Sequence, residues 1–168
     1  FSEKSYHVER FISEDFNKKL VEILKKDKYD IVQLEMIYMA PYIETIRANS
    51  DAFIVLRAHN VEHLIWDRIA KKTKFAPKRW YINHLVRTLR NYELNAINKV
   101  DGIAAITYRD AAFFRGETSK PVIDIPYGVD PDDFIPHYEI KKEPSLYHIG
   151  SMNWMPNEEG IRWFLNNV

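Results

Sequence analysis

Phe53 to Arg68 reads FIVLRAHNVEHLIWDR: an apolar run, then two histidines, a glutamate and an asparagine in quick succession. Phe53, Ile54, Val55 and Leu56 make the short continuous apolar stretch expected of a buried strand. His59 and Asn60 follow directly, so they stand where that strand ends. Open parallel sheets bind ligands just outside the carboxyl ends of their strands. The use made of His59-Asn60-Val61-Glu62-His63 therefore decides how the chain is read.

On the N-terminal side, Ser13 is placed to cap a helix, with Glu14 and Asp15 in the first turn where the helix dipole favours acids. Phe16, Leu20, Ile23 and Leu24 fall on one face, and Lys25, Lys26 and Lys28 close the far end. YDIVQLEM (Tyr29–Met36) is expected to be a buried strand, Tyr42 to Ala48 a short helix, and FIVLRA (Phe53–Ala58) the next strand. On the C-terminal side, Pro77 opens a long helix with Ile82, Leu85, Val86, Leu89, Ala96 and Ile97 at helical spacing. GIAAIT (Gly102–Thr107) is a strand, Asp110 to Arg115 a short helix stopped by Gly116, and PVIDIP (Pro121–Pro126) another strand. Pro136 to Pro144 is polar and proline-flanked, a linker. SLYHIG (Ser145–Gly150) is a last strand, and a last helix begins near Asn157.

Apolar strands alternating with helices predict an α/β fold, a parallel sheet with helices on both faces. The positions to watch are those just after the strands: Tyr38, His59, Asn60, Thr107, Gly128 and Gly150.

Composition narrows the function. At 168 residues, 46% hydrophobic and 14% aromatic, the chain can build a core. Lys+Arg and Asp+Glu are equal at 24 each, so a general nucleic-acid binder, which needs a basic surplus, is not expected. The absence of cysteine removes thiolate nucleophiles and Cys-based zinc sites and fits a cytoplasmic setting. No apolar run approaches the ~20 residues of a spanning helix. Glu3, Lys4 and His7 interrupt any apolar leader.

Three stretches carry candidate chemistry. His59, Glu62 and His63 spell H-x-x-E-H, an inverted zinc-protease pattern that needs both histidines on one helical face and the glutamate as base. Glu139 or Glu143 would have to complete the ligand set. The bland alternative is a strand-to-helix turn with a capping asparagine and two solvated histidines. The preferred reading aims His59 into a cleft, where either ring nitrogen can meet a substrate hydroxyl near neutral pH.

The second stretch is GSMNWMPNEEGIRWF (Gly150–Phe164), a glycine turn opening a helix, in outline a phosphate-binding turn. Glu158 and Glu159 in the first turn would compete with an anion there, and a plainly capped helix fits as well. The third runs from Arg68 to Arg90. It holds Lys71, Lys72, Lys74, Lys78 and Arg79 with Phe75, Trp80 and Tyr81 interleaved and no acid. That mixture suits an anionic membrane surface, unless the aromatics are tucked into the core.

LRAHNVEHLIWDR, NYELNAINKVDGIAAIT, IPYGVDPDDF and HIGSMNWMPNEEGIRWF, in this order, resemble the bacterial group 1 glycosyltransferases, the retaining superfamily that includes glycogen synthase. The resemblance covers nearly the whole chain. It implies a two-domain GT-B architecture, with residues 1–136 the later part of an acceptor-side Rossmann-like domain and 137–168 the linker and opening of the donor-side domain. It implies transfer of a sugar from a nucleotide-sugar to an acceptor hydroxyl with retention, without metal or other cofactor, in polysaccharide or glycolipid synthesis.

By the same resemblance His59 contacts the transferred sugar. Asn60, Gly128, Asp130, Gly150, Ser151 and Asn153 are the substrate-binding candidates, with Gly128, Val129 and Asp130 in an interdomain segment usually written I-P-N-G-V-D. Tyr127 stands where that segment has Asn. The family's glycine-rich loop is expected before Phe1 and its pair of donor-gripping glutamates beyond Val168, so this stretch alone is expected to be inactive. The implied partners are the donor, a sugar or lipid-linked acceptor, and the inner membrane face through Lys71, Lys72, Lys74, Lys78 and Arg79.

Overall fold

A computed structural model describes residues 5–135, 144–153 and 155–168. The elements run α1 (Tyr6–Glu9), α2 (Glu14–Lys26), β1 (Ile31–Glu35), a 3-10 turn (Ile37–Tyr42), α3 (Ile43–Asn49), β2 (Phe53–Ala58), α4 (Glu62–Lys72), α5 (Ala76–Ile97), β3 (Gly102–Ala105), α6 (Tyr108–Glu117), β4 (Val122–Asp124), a second 3-10 turn (Pro131–Asp133) and α7 (Met155–Asn167). The four strands form one parallel sheet in the order β1-β2-β3-β4. The fold is α/β with an all-parallel sheet, as the alternating pattern predicts.

The register separates the two faces of the sheet. Leu34, Leu56, Ile103 and Val122 lie in one row, with Ala58 and Ala105 in the next. With Ile54, the residues of this face join Leu24 of α2, Ile43 and Ile46 of α3, Leu89 and Ile97 of α5, and Ala111 and Phe114 of α6 in a single core. Burying each large aliphatic chain contributes about 1.5–3 kcal/mol. The opposite face carries Ile31, Phe53 and Ile123, which are 61%, 48% and 55% exposed. Helices on both faces were expected; among the described residues they cover one. Topology supplies the reason: right-handed crossovers that always step the same way along a sheet place every connecting helix on the same side.

Three local expectations need correction. Gly116 does not stop α6, which runs on to Glu117 and ends at Thr118; a glycine in a last turn is a modest penalty, not a block. Ser145–Gly150 is not a strand. Leu146, Tyr147 and Ile149 are more than 80% exposed, and a single extended segment without a pairing partner gains no ladder. The last helix opens at Met155, earlier than Asn157. Ser13 caps α2 as expected, its hydroxyl accepting the Phe16 N–H at 3.3 Å. The first strand forms at Ile31–Glu35 but is not the buried strand expected, since only Leu34 of its five residues is buried.

The chain divides into two compact units, Phe1–Gly128 and Val129–Val168. The residues about the expected 136/137 boundary (136–143), with Glu139 and Glu143, lie outside the described residues. In the second unit, Ile161, Phe164 and Leu165 of α7 line an open cavity together with Leu146, Tyr147 and His148.

Candidate functional site

β1 and β2 end side by side, with Glu35 paired in register to Arg57. Met36 then leaves the sheet at φ 70°, ψ 157°, a conformation natural only for glycine. Such a residue costs about 1–3 kcal/mol and persists where surrounding structure enforces it. Here the Met36 N–H donates to the Arg57 carbonyl at 3.1 Å. The strain turns the chain sharply and leaves the Glu35 side chain at the carboxyl edge of the sheet.

β2 ends at Ala58, and His59 follows at that same edge. His59 Nε2 lies 2.8 Å from Glu35 Oε2. The Tyr127 hydroxyl, from the extended chain after β4, lies 3.4 Å from Nε2 and 3.5 Å from Nδ1, and the two rings meet edge-on at 6.0 Å. The hydrogen bond from His59 holds the Glu35 carboxyl below its ordinary pKa. An ionised Glu35 only accepts, so the hydrogen between the two groups belongs to His59 Nε2. This is a polar group held at a strand end and facing outward.

His63, one helical turn on, is placed differently. α4 begins at Glu62, and its N-cap residue, Val61, has no side chain able to cap it. Glu93 of α5 takes that role: its carboxylate accepts the N–H of Glu62 at 3.0 Å and of His63 at 3.3 Å, and holds His63 Nδ1 at 2.5 Å. The Tyr38 hydroxyl donates to Glu62 at 2.9 Å. Glu62, His63 and Glu93 are all buried. Burial is the main cause of the raised pKa of Glu62, reinforced by the charge of Glu93. It also raises Tyr38, with the charge of Glu62 adding to it.

The H-x-x-E-H spacing is therefore split by the helix start. His59 precedes α4, and the two histidines turn to different carboxylates. The alternative with two solvated histidines is also corrected, because His63 is 3% exposed.

The remaining candidates fall into separate places. Tyr38 serves the buried cluster. Thr107 caps α6, accepting the Asp110 N–H at 3.1 Å. Asn60 lines a cavity of about 220 Å³ with Leu64, Arg68, Arg109 and Asp110. Gly128 is exposed, with open space where a side chain would lie.

The second unit holds Asp130, which accepts the Asp132 N–H at 3.0 Å in the second 3-10 turn. It also holds Gly150, where an added Cβ would come within 2.7 Å of the Asn157 amide. That amide donates to the Ser151 carbonyl at 3.0 Å. Ser151 and Asn153 are exposed.

Sequence reasoning missed Glu35, Arg57 and Glu93. Glu35 was inside the stretch read as a strand, and its place at the last strand residue was the available signal. Glu93 carried none, because only tertiary packing brings it to the start of α4.

Compared with protein-family models, with curated proteins and with solved structures, the chain finds no match.

Proposed function

We propose that this chain belongs to a nucleotide-sugar-dependent retaining glycosyltransferase of group 1 type, with the first unit on the acceptor side of a GT-B cleft and the second opening the donor side. The observation that carries the reading is His59, fixed by Glu35 at the carboxyl end of a parallel strand with a ring nitrogen available to a hydroxyl. Tyr127, which replaces the family's Asn, lies beside it and supplies a hydroxyl in place of an amide.

In this reading a nucleoside diphosphate leaves and an acceptor hydroxyl takes the sugar through an oxocarbenium-like transition state. His59 hydrogen-bonds the sugar and positions it; it is not a nucleophile. Charge on the departing phosphate is met by backbone N–H groups and a helix terminus, a task that needs no metal. The substrate contacts assigned to Asn60, Gly128, Asp130, Gly150, Ser151 and Asn153 rest on the resemblance.

The test is nucleotide release from a panel of nucleotide sugars by the native polypeptide carrying this sequence, beside its His59→Ala variant. Release from one donor, reduced in the variant, supports the reading. Equal rates remove His59 from it.

The turn between α4 and α5 supports a peripheral membrane contact. Phe75, Trp80 and Tyr81 are 67%, 59% and 45% exposed rather than tucked into the core, and Lys71, Lys72, Lys74, Lys78 and Arg79 are their neighbours in sequence. Among the described residues no helix is long and apolar enough to cross a membrane.

A further inference from the structure

Arg57 is the unexplained group of the first unit. It is 9% exposed, and its Nη1 is buried with no hydrogen-bond partner among the described residues. A guanidinium is always charged, and leaving one of its N–H groups buried and unbonded is costly. Glu35, its register neighbour, lies close enough for the Arg57 charge to act on its carboxyl, yet no hydrogen bond satisfies Nη1. Glu35 Oε1 accepts from the Gln33 amide at 2.5 Å, and Oε2 pairs with His59 at 2.8 Å. What Arg57 has instead is the Tyr127 ring, 5.5 Å from its guanidinium carbon. That ring shields the charge from water without satisfying its N–H groups.

We propose that Arg57, walled by Tyr127 and adjoining His59, receives an anionic oxygen group, a carboxylate or a phosphate, carried by the acceptor. The inference rests on the glycosyl-transfer reading and narrows it to an acidic acceptor. The chemistry favours such a group over a neutral sugar: a planar fork of donors matches paired anionic oxygens, and a water-poor setting strengthens the contact. Glu35 stands close enough to repel an anion. Its hydrogen bond with His59 at 2.8 Å engages part of that carboxylate, and the arginine keeps an unbonded N–H for the ligand.

The experiment titrates the 168-residue chain with inorganic phosphate, glucose 6-phosphate, glucuronate and glucose, following heat and melting temperature. An acidic sugar is expected to bind and glucose not. Preference for the phosphate or for the carboxylate sugar identifies the source. Arg57→Met should weaken binding about tenfold or more, the scale of one charge-assisted contact, and abolish the ligand's effect on melting.

Met keeps the length of the side chain without a buried, unbonded N–H, so the variant is expected to fold. If it does unfold, Arg57→Lys keeps the charge without the fork and should bind more weakly at native stability. Absence of anion binding, or unchanged affinity in both variants, overturns the inference. Displacement of the anion by UDP would assign the place to the donor and overturn the acceptor assignment. Failure of anion binding with nucleotide release intact sinks this inference alone, whereas anion binding without nucleotide release sinks the transfer reading alone.

Discussion

His59 and His63 stand one helical turn apart in the sequence and face opposite conditions. His63 is sealed inside, its ring and backbone held by Glu93, with Glu62 answered by Tyr38. His59 sits at the sheet edge beside a strained Met36, a partly exposed Glu35 and an arginine with an unbonded group. Buried polar networks that satisfy every member specify a fold. Strain and unmet polar groups concentrate where a molecule does its work. Under the proposed function, the same motif contains a structural half and a functional half, divided at the point where α4 begins.

The comparison predicts different losses on its two sides. The largest is Glu93→Ala, which removes a helix cap and strands His63 at once. It should cost about 3–5 kcal/mol, read from urea unfolding. A loss below about 1 kcal/mol would show that the cluster is not a structural hub.

His59→Ala should slow sugar transfer by about 10²–10³-fold, the scale of losing one preorganised contact, while shifting stability by less than about 1 kcal/mol. Replacing Lys74 and Lys78 by Glu should weaken retention on anionic vesicles by about 1 kcal/mol for each charge removed, with neutral vesicles unaffected. Equal retention on both vesicle types would end the membrane proposal.

The smallest effect is a slope. Burial raises the pKa of Glu62 above its ordinary 4.5, so the folded state holds that proton more tightly than the unfolded one. Between the two values stability should fall as pH rises, and above both the penalty is complete. Glu62→Gln keeps an acceptor for Tyr38 and should flatten that part of the profile, as checked by urea midpoints across the acid range. A profile unchanged by the substitution would mean that Glu62 is not the group responsible.

The sheet was legible because its strands are short apolar runs bounded by Pro, Gly and Asp, and FIVLRA was bounded to the residue. Coverage of the sheet was not legible, since alternation of strands and helices does not state the strand order. Ser145–Gly150 has a strand's pattern but no strand to pair with among the described residues, and propensity cannot supply one. In the candidate site, the place of His59 at a strand end was legible from the apolar run before it. Glu93 and Arg57 were missed because their roles depend on contacts from distant segments. Arg57 was hidden further by lying inside a strand, where an arginine reads as a solvent-facing residue.

The central claim is that the motif divides between function and structure. It is tested most directly by measuring nucleotide release and thermal unfolding together for His59→Ala and His63→Ala in the native polypeptide. The account predicts that His59→Ala melts with the native protein and transfers slowly, while His63→Ala melts at clearly lower temperature. If His59→Ala lowers the melting temperature as much as His63→Ala does, or transfers sugar at the native rate, the division is wrong.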